Sequence, residues 1–284
     1  MATMQVTKVH GCGNDFVLIA DPDGSIAVDP ELVRALCDRH RGIGADGVIR
    51  LAPPRDGTAD VFMDYRNADG GVVEMCGNGV RCVATYTLNR GLLSGDVVRV
   101  GSRAGVKHVV VTGRALSGRV TETQVDMGAP VATGTVSLRV PTPDGHDVTE
   151  VPATTVSMGN PHAVIEVDDV DKAPVVEWGR RIERDPAFAE GTNVEFITVP
   201  APDVVRGRIW ERGVGETLAS GTGASAMAVA AHLLGRTGRR VRVEVPGGVL
   251  HAAWDTDALT IRGPAVEVFD ADIDDAWLRN AVHA

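Results

Sequence analysis

The chain has 284 residues, 44% of them hydrophobic, and a formal net charge of −10 at neutral pH. That length and apolar content allow one large or two modest domains with a sizeable core. The acidic balance argues against nucleic acid or an anionic membrane as the main partner, and its plain meaning is solubility.

The N-terminus carries no apolar run of signal length and no stretch of about 18 apolar residues follows, so a cytoplasmic, non-membrane protein is expected. The cysteines stand at 12, 37, 76 and 82, with no paired metal spacing and no C-x-x-C. Thiols are therefore expected, with no metal site and no disulfide framework. Cys37 and Cys82 fall in helical patterns and read as core packing.

Residues 4–10 and 16–20 read as strands around the turn His10-Gly11-Cys12-Gly13-Asn14-Asp15. A helix is predicted at 30–40, with Asp29 as N-cap and Pro30 at its first position. The glycine-rich loop 41–47 feeds a strand at 48–51, and another strand covers 61–66. Asn67-Ala68-Asp69-Gly70-Gly71 is a turn by composition. It leads to Glu74-Met75-Cys76-Gly77-Asn78-Gly79-Val80-Arg81, after which Val80, Val83, Ala84 and Leu88 recur at helical spacing until Gly91. Cys76 thus lies at a helix N-terminus, where backbone N–H groups and the dipole favour an anion: its own thiolate, or a ligand carboxylate or phosphate. Strands dominate from Val97 to about Val140.

The second half repeats this plan. Asn160 lies 146 residues after Asn14, and Ser220 lies 144 after Cys76, each in the same order of Gly-Asn turn, strand, helix, strands and Gly-rich helix start. A helix is predicted at 174–184 and strands at 194–199 and 205–210. Ala219-Ser220-Gly221-Thr222-Gly223-Ala224 then opens a helix that is apolar nearly all round and stops at Gly235, which places it at the centre of a half. Residues 264–284 read as a strand and a short helix returning to the first half. The expected fold class is mixed α/β. It comprises two pseudo-symmetric halves, 1–121 with 266–284 and 122–265, each a mixed barrel-like sheet around a central helix. The active site is expected in the cleft between them.

A small carboxylate pinned by two such helix starts would place its α-carbon between Cys76 and residue 220. A thiolate on one face could remove the α-proton and an acid on the other could return one, with the developing enolate charge facing aligned N–H groups. Such chemistry needs neither metal nor cofactor. It does need groups titrating near working pH, which a tuned cysteine is and a serine without a neighbouring base is not. Other motifs carry less. Residues 221–226 match G-x-G-x-x-A, but a long loop from Glu211 precedes them instead of a strand entering the turn. Ser220 is in no nucleophile elbow, since Leu218 occupies the first glycine's place. His162 reads as satisfying local backbone before it reads as a base.

These motifs resemble the diaminopimelate epimerase family along nearly the whole chain. The resemblance rests on His10-Gly11, Gly13-Asn14-Asp15-Phe16, Arg39-His40, 42–47, 65–70 and 75–81. It continues through Met158-Gly159-Asn160-Pro161-His162, Thr192-Asn193-Val194, 211–217 and Gly221-Thr222-Gly223. It implies a cofactor-independent homodimer that interconverts LL- and meso-diaminopimelate by two-base α-proton transfer, in lysine and peptidoglycan precursor biosynthesis. It implies Cys76 as one catalytic base and puts the second catalytic cysteine at position 220, where this chain has Ser220. The backbone amides of Gly77, Asn78, Gly221 and Thr222 would hold the reacting carboxylate, and Glu211 and Arg212 the reacting amino end. Asn14, Asn67, Asn160, Asn193 and the Arg212 side chain would meet the distal amino-acid head. An Asn amide both donates and accepts, and Arg offers a fork for a carboxylate.

Ser220 has three readings. It is an engineered Cys→Ser change that holds substrate or prevents oxidation, the mark of a paralogue using one base for isomerisation or elimination, or a feature of an inert relative kept to bind an amino acid. Serine keeps shape and hydrogen bonding but removes a titrating group. Binding is expected to survive and epimerisation to fall by about 10²–10⁴-fold. Cys12 is the other thiol available to replace the missing base, but it lies in the Gly-Asn turn, and reach governs it.

Overall fold

The computed structural model describes residues 3–142, 147–255 and 257–281. Its elements in chain order are β1 (Thr3–Gly11), β2 (Asn14–Ala20), α1 (Pro30–Cys37), β3 (Gly47–Ala52), β4 (Val61–Asn67), β5 (Val72–Val73), α2 (Gly77–Asn89), β6 (Val97–Ser102), β7 (Gly105–Arg114) and β8 (Val120–Gly128). There follow β9 (Val131–Pro141), β10 (Val148–Ser157), β11 (Pro161–Glu166), α3 (Val175–Ile182), β12 (Asn193–Ala201), β13 (Val204–Glu211), β14 (Gly215–Thr217) and α4 (Gly221–Leu233). Last come β15 (Arg240–Val245), β16 (Gly248–Ala253), β17 (Leu259–Pro264), β18 (Val266–Asp274) and α5 (Asp275–Ala281).

The chain divides into two compact units, Met1–Val125 with Pro264–Ala284 and Asp126–Gly263. The expected borders after 121 and 265 differ by a few residues, because β8 runs unbroken through 121. The returning segment 266–284 ends in 282–284, which lie outside the described residues.

Both units use one strand plan. In the first, β1 pairs antiparallel with β2, β2 parallel with β3, β3 antiparallel with β4, and β4 both antiparallel with β5 and parallel with β6. Antiparallel β6–β7 and β7–β8 pairs follow, and β18 lies antiparallel on β1. In the second, β10 to β17 repeat that sequence of pairings, and β9 lies on β10 as β18 lies on β1. Each parallel pair is bridged by a helix, α1 or α3, and each later parallel crossover by α2 or α4, as a parallel connection demands.

The helices follow from their caps and stripes. Asp29 accepts from Leu32 N–H at 2.8 Å, and Leu32, Val33 and Leu36 of α1 pack on Val17, Ile19 and Val48. This helix stops at Cys37 instead of 40. Asp38 turns to extended backbone, its carboxylate accepts the His40 and Arg41 N–H groups, and Ile43 and Gly44 donate back to Leu36 O. In the second unit Val175, Trp178 and Ile182 of α3 pack on Leu138, Ile165 and Phe196. Helix α4 is buried from Ala224 to Ala231. Its alanines let strands approach closely, while Met227 and Val229 each contribute about 1.5–3 kcal/mol of burial. Gly91 and Gly235 follow α2 and α4 at φ +68° and +71°, the left-handed stop that favours glycine.

Candidate active site

Each unit presents the start of its central helix in the same way. Cys76 is the N-cap of α2, with φ −138° and ψ 117°, and its Sγ accepts from Gly79 N–H at 3.5 Å. Ser220 is the N-cap of α4, with φ −137° and ψ 132°, and its Oγ accepts from Gly223 N–H at 3.3 Å. Sulfur and hydroxyl therefore occupy equivalent places, each at the positive end of a 13-residue helix. Val80 and Ala224 donate to the carbonyls of Cys76 and Ser220. The amides of Gly77, Gly221 and Thr222 come before those bonds, at positions with no intrahelical acceptor. A ligand carboxylate suits them.

Around Cys76 a chain of side chains is fixed in polarity. Arg81, with no exposure, donates through Nη2 to Asn78 Oδ1 at 2.7 Å and through Nη1 to Gly77 O at 3.4 Å. Asn78 Nδ2 then donates to Asn14 Oδ1 at 3.1 Å, and Asn14 Nδ2 donates to Asp46 Oδ2 at 2.8 Å. Cys76 Sγ lies 3.7 Å from the same Asn14 oxygen. Arg81 has no carboxylate partner among the described residues, and its Nε has no hydrogen bond. Burial disfavours its charge, opposed by the thiols of Cys12, Cys82 and Cys76. A guanidinium does not give up its proton, so a fixed positive charge sits beneath the α2 start.

Outside this chain, Lys8 and Arg39 converge on Asp15 at 2.5 and 2.8 Å. Burial pushes the Asp15 carboxyl up, but the hydrogen bonds from Arg39 and Lys8 outweigh it and hold it at about 2. Arg39 also joins Asp46, so the loop carrying Asp46 is tied to the turn carrying Asn14.

The second unit is built differently beneath its helix. Asn160 Oδ1 lies 3.0 Å from His162 Nε2, and His162 Nδ1 lies 2.7 Å from Glu195 Oε1. The imidazole thus bonds two side chains instead of the local backbone expected for it. Asn193 donates to Pro161 O at 2.9 Å and accepts from Arg212 N–H at 2.9 Å. Glu211 Oε1 accepts from Thr217 Oγ1 at 2.7 Å. Desolvation pushes the Glu211 carboxyl up, against hydrogen bonds from Thr217 and Ser220. The Arg212 guanidinium is exposed and donates to Glu190 O at 2.8 Å.

The expected residues therefore sort by unit. Asn14, Asn67, Cys76, Gly77 and Asn78 gather in the first, and Asn160, Asn193, Glu211, Arg212, Ser220, Gly221 and Thr222 belong to the second. Asn67 Oδ1 accepts from Tyr65 Oη at 2.7 Å. Asn14 and Asn193 use both ends of their amides inside their own unit, whereas among the described residues Asn67 and Asn160 have only the oxygen tied. Cys12 is buried at φ +52°, and burial pushes its thiol up, which disfavours it as a base. Cys37 and Cys82 are buried, and burial pushes both thiols up to about 12. Sequence reasoning missed Tyr65, Arg81 and Glu195. Arg81 and Glu195 are the charged residues inside otherwise apolar runs, and that was the available signal. Among the described residues no group of three His, Cys, Asp or Glu side chains is arranged to hold a metal ion, and no helix is long and apolar enough to cross a membrane.

Comparison with known proteins agrees with this architecture. A sequence profile described as diaminopimelate epimerase matches residues 6–133 and 154–268. The chain is 44% identical over 288 residues to the diaminopimelate epimerase of Desulforudis audaxviator, covering 97% of this chain and 100% of that protein. It is 42% identical over 278 residues to that of Leptospira biflexa, covering 94% and 98%. Among solved structures it is similar to a probable proline racemase from Agrobacterium radiobacter with bound carbonate, at TM-score 0.73, 18% identity and coverage of 96% of this chain and 93% of that one. It is also similar to a hydroxyproline epimerase from Agrobacterium vitis with bound trans-4-hydroxy-L-proline, at TM-score 0.70, 19% identity and coverage of 98% and 94%. With its repeated strand plan and capped central helices, this chain belongs to the diaminopimelate epimerase family.

Proposed function

We propose that this chain binds LL- and meso-diaminopimelate and carries one complete and one altered half of a two-base epimerase site. The observation behind the reading is the matched pair of helix starts, with Cys76 Sγ and Ser220 Oγ each held by the amide three residues on. In this mechanism one base takes the α-proton and a second returns one. The Cys76 thiolate, favoured by the helix dipole and the Arg81 charge, removes the α-proton. The amides of Gly77, Asn78, Gly221 and Thr222 receive the carboxylate and stabilise the enolate charge as it forms. Residue 220 serves the opposite face. A serine there fills the space and donates a hydrogen bond, but it lacks the acidity to return a proton at the rate a thiol would.

Glu211 and Arg212 hold the reacting amino end, and Asn14, Asn67, Asn160, Asn193 and the Arg212 side chain hold the distal head. The chain works without metal or cofactor in this reading, in the cytoplasm and as a homodimer. Exposed Val266, Val268 and Phe269 on β18 support the dimer as an apolar contact patch. The substrate class is tested by calorimetry with both diaminopimelate isomers and with lysine, which lacks the second carboxylate. At least tenfold tighter binding of diaminopimelate is expected; equal affinity for lysine refutes the distal subsite. Ser220 favours one second reading, a one-base isomerase or lyase, which would exchange an α-proton without inverting the centre.

A further inference from the structure

The repeated strand plan makes the two units comparable position by position. β2 lies parallel to β3 with Phe16 opposite Gly47 and Leu18 opposite Ile49, and β11 lies parallel to β12 with His162 opposite Asn193 and Val164 opposite Glu195. His162 therefore stands where the first unit has Phe16, and Glu195 where it has Ile49. The central helices agree: a Cβ on Gly79 would meet Ile49 Cδ1 at 3.0 Å, and a Cβ on Gly223 would meet Glu195 Oε1 at 3.1 Å. The first unit fills this place beneath its helix with two apolar side chains. The second fills it with an imidazole and a carboxyl group, both with no side-chain exposure. An apolar pair packs there, so the fold does not require the polar one, whose burial is costly unless it is well bonded.

The proton positions follow from the partners. Among the described residues Glu195 Oε2 has no hydrogen-bond partner. A bare carboxylate with an orphaned oxygen is disfavoured in so dry a place, and burial pushes the Glu195 carboxyl up against the pull of His162. The protonated Oε1 then donates to His162 Nδ1, the ring proton sits on Nε2, and Nε2–H donates to Asn160 Oδ1. An imidazolium facing a carboxylate gives Asn160 the same bond. Only a neutral imidazole with its proton on Nδ1 would turn the amide round.

We propose that Glu195 is a positioning residue which, through His162, fixes the Asn160 amide with its oxygen inward and its NH2 toward the ligand, so that this contact donates only and selects a carboxylate over an ammonium group. The inference rests on the reading of Asn160 as a ligand contact. Tyr65 gives Asn67 the same polarity from a different donor. A half-exposed amide with its oxygen tied fits the carboxylate of a second amino-acid head.

The test uses protein with 15N-labelled histidine and asparagine, the Asn160 NH2 signals being identified by their loss in N160D. The parent chain should show a protonated His162 Nε2. E195Q should keep that proton, because the Gln NH2 can donate to Nδ1. It should also leave the Asn160 signals in place and hold meso-diaminopimelate affinity within twofold by calorimetry. H162F/E195I, which copies the first unit's apolar pair, should shift the Asn160 NH2 signals and weaken binding at least tenfold. An unprotonated Nε2 in the parent, or unchanged Asn160 signals in the folded double variant, overturns the proposal. If the double variant does not fold, the parent and E195Q spectra decide. If no chain binds diaminopimelate, the functional reading falls, while the ring and amide signals still decide whether the lock exists.

Discussion

Replacing Gly223 by alanine probes how tightly the second unit is built beneath its helix start. On helix propensity alone the change would stabilise by up to about 1 kcal/mol, and by less in the first turn. Packing opposes it, because the new Cβ would meet Ser220 Cβ and Glu195 Oε1 at 3.1 Å and Ile209 Cδ1 at 3.2 Å. None of the three yields easily. Ser220 is fixed as the N-cap, Glu195 is held by His162, and Ile209 is a fully buried strand residue. Overpacking of this kind costs about 1–3 kcal/mol, so the net loss is about 1–2 kcal/mol. That is a fall in Tm of about 2–3 °C for a chain of 284 residues. Thermal unfolding by circular dichroism measures it, with Gly57→Ala, whose Cβ meets nothing within 4 Å, as the control expected to stay within about 0.5 kcal/mol. A Tm for G223A equal to or above the parent's would refute the packing argument.

Other outcomes follow from the same geometry. C76S should keep the N-cap, hold stability within about 1 kcal/mol and abolish measurable α-deuterium uptake from heavy water; uptake at the parent rate would remove Cys76 from the mechanism. S220A loses the cap bond to Gly223 N–H and should cost about 1 kcal/mol by urea unfolding; no change would mean that this bond contributes nothing. Asp15 is held down at about 2, so its contribution is fully present above its unfolded value near 4 and is lost as pH falls toward 2. Discounted for the exposure of Arg39, it amounts to about 1–2 kcal/mol. D15N should be less stable than the parent by that amount at pH 7 and level with it near pH 2; an equal gap at both pH values would refute the assignment. The Glu195 carboxyl is pushed up instead, so its neutral form stabilises the fold below the unfolded value, and stability is lost as pH rises from there through the folded value. E195Q should flatten that decline in urea titrations taken across the range, and an unchanged slope would count against a protonated Glu195.

Much of this was legible in the residues because glycine and asparagine mark turns wherever they cluster. The two helix starts, the duplication and the change at 220 could all be read from Gly-Asn turns and helical apolar spacing. Strand pairing was harder. β15 to β17 went unassigned, since alternating Val and Arg in Arg240–Val245 carries no partner information. The end of α1 was missed because Asp38 closes it through bonds to later backbone. The layer beneath the helices was hidden most completely. Arg81 and Glu195 stand out in sequence only as charges inside apolar runs; Arg81 lies within α2 and the β11–β12 ladder brings Glu195 under α4, where one supplies a fixed cation and the other works through His162 on Asn160.

The central claim is that position 220 is the altered base of an otherwise intact epimerase site. Its most direct test incubates the parent chain and S220C separately with LL- and meso-diaminopimelate in deuterated water, scoring both α-deuterium incorporation and stereochemistry. The account predicts that S220C interconverts the isomers with deuterium at the inverted centre, at least about 10²-fold faster than the parent. A parent that epimerises as fast as S220C, or an S220C that neither exchanges nor inverts, would contradict it.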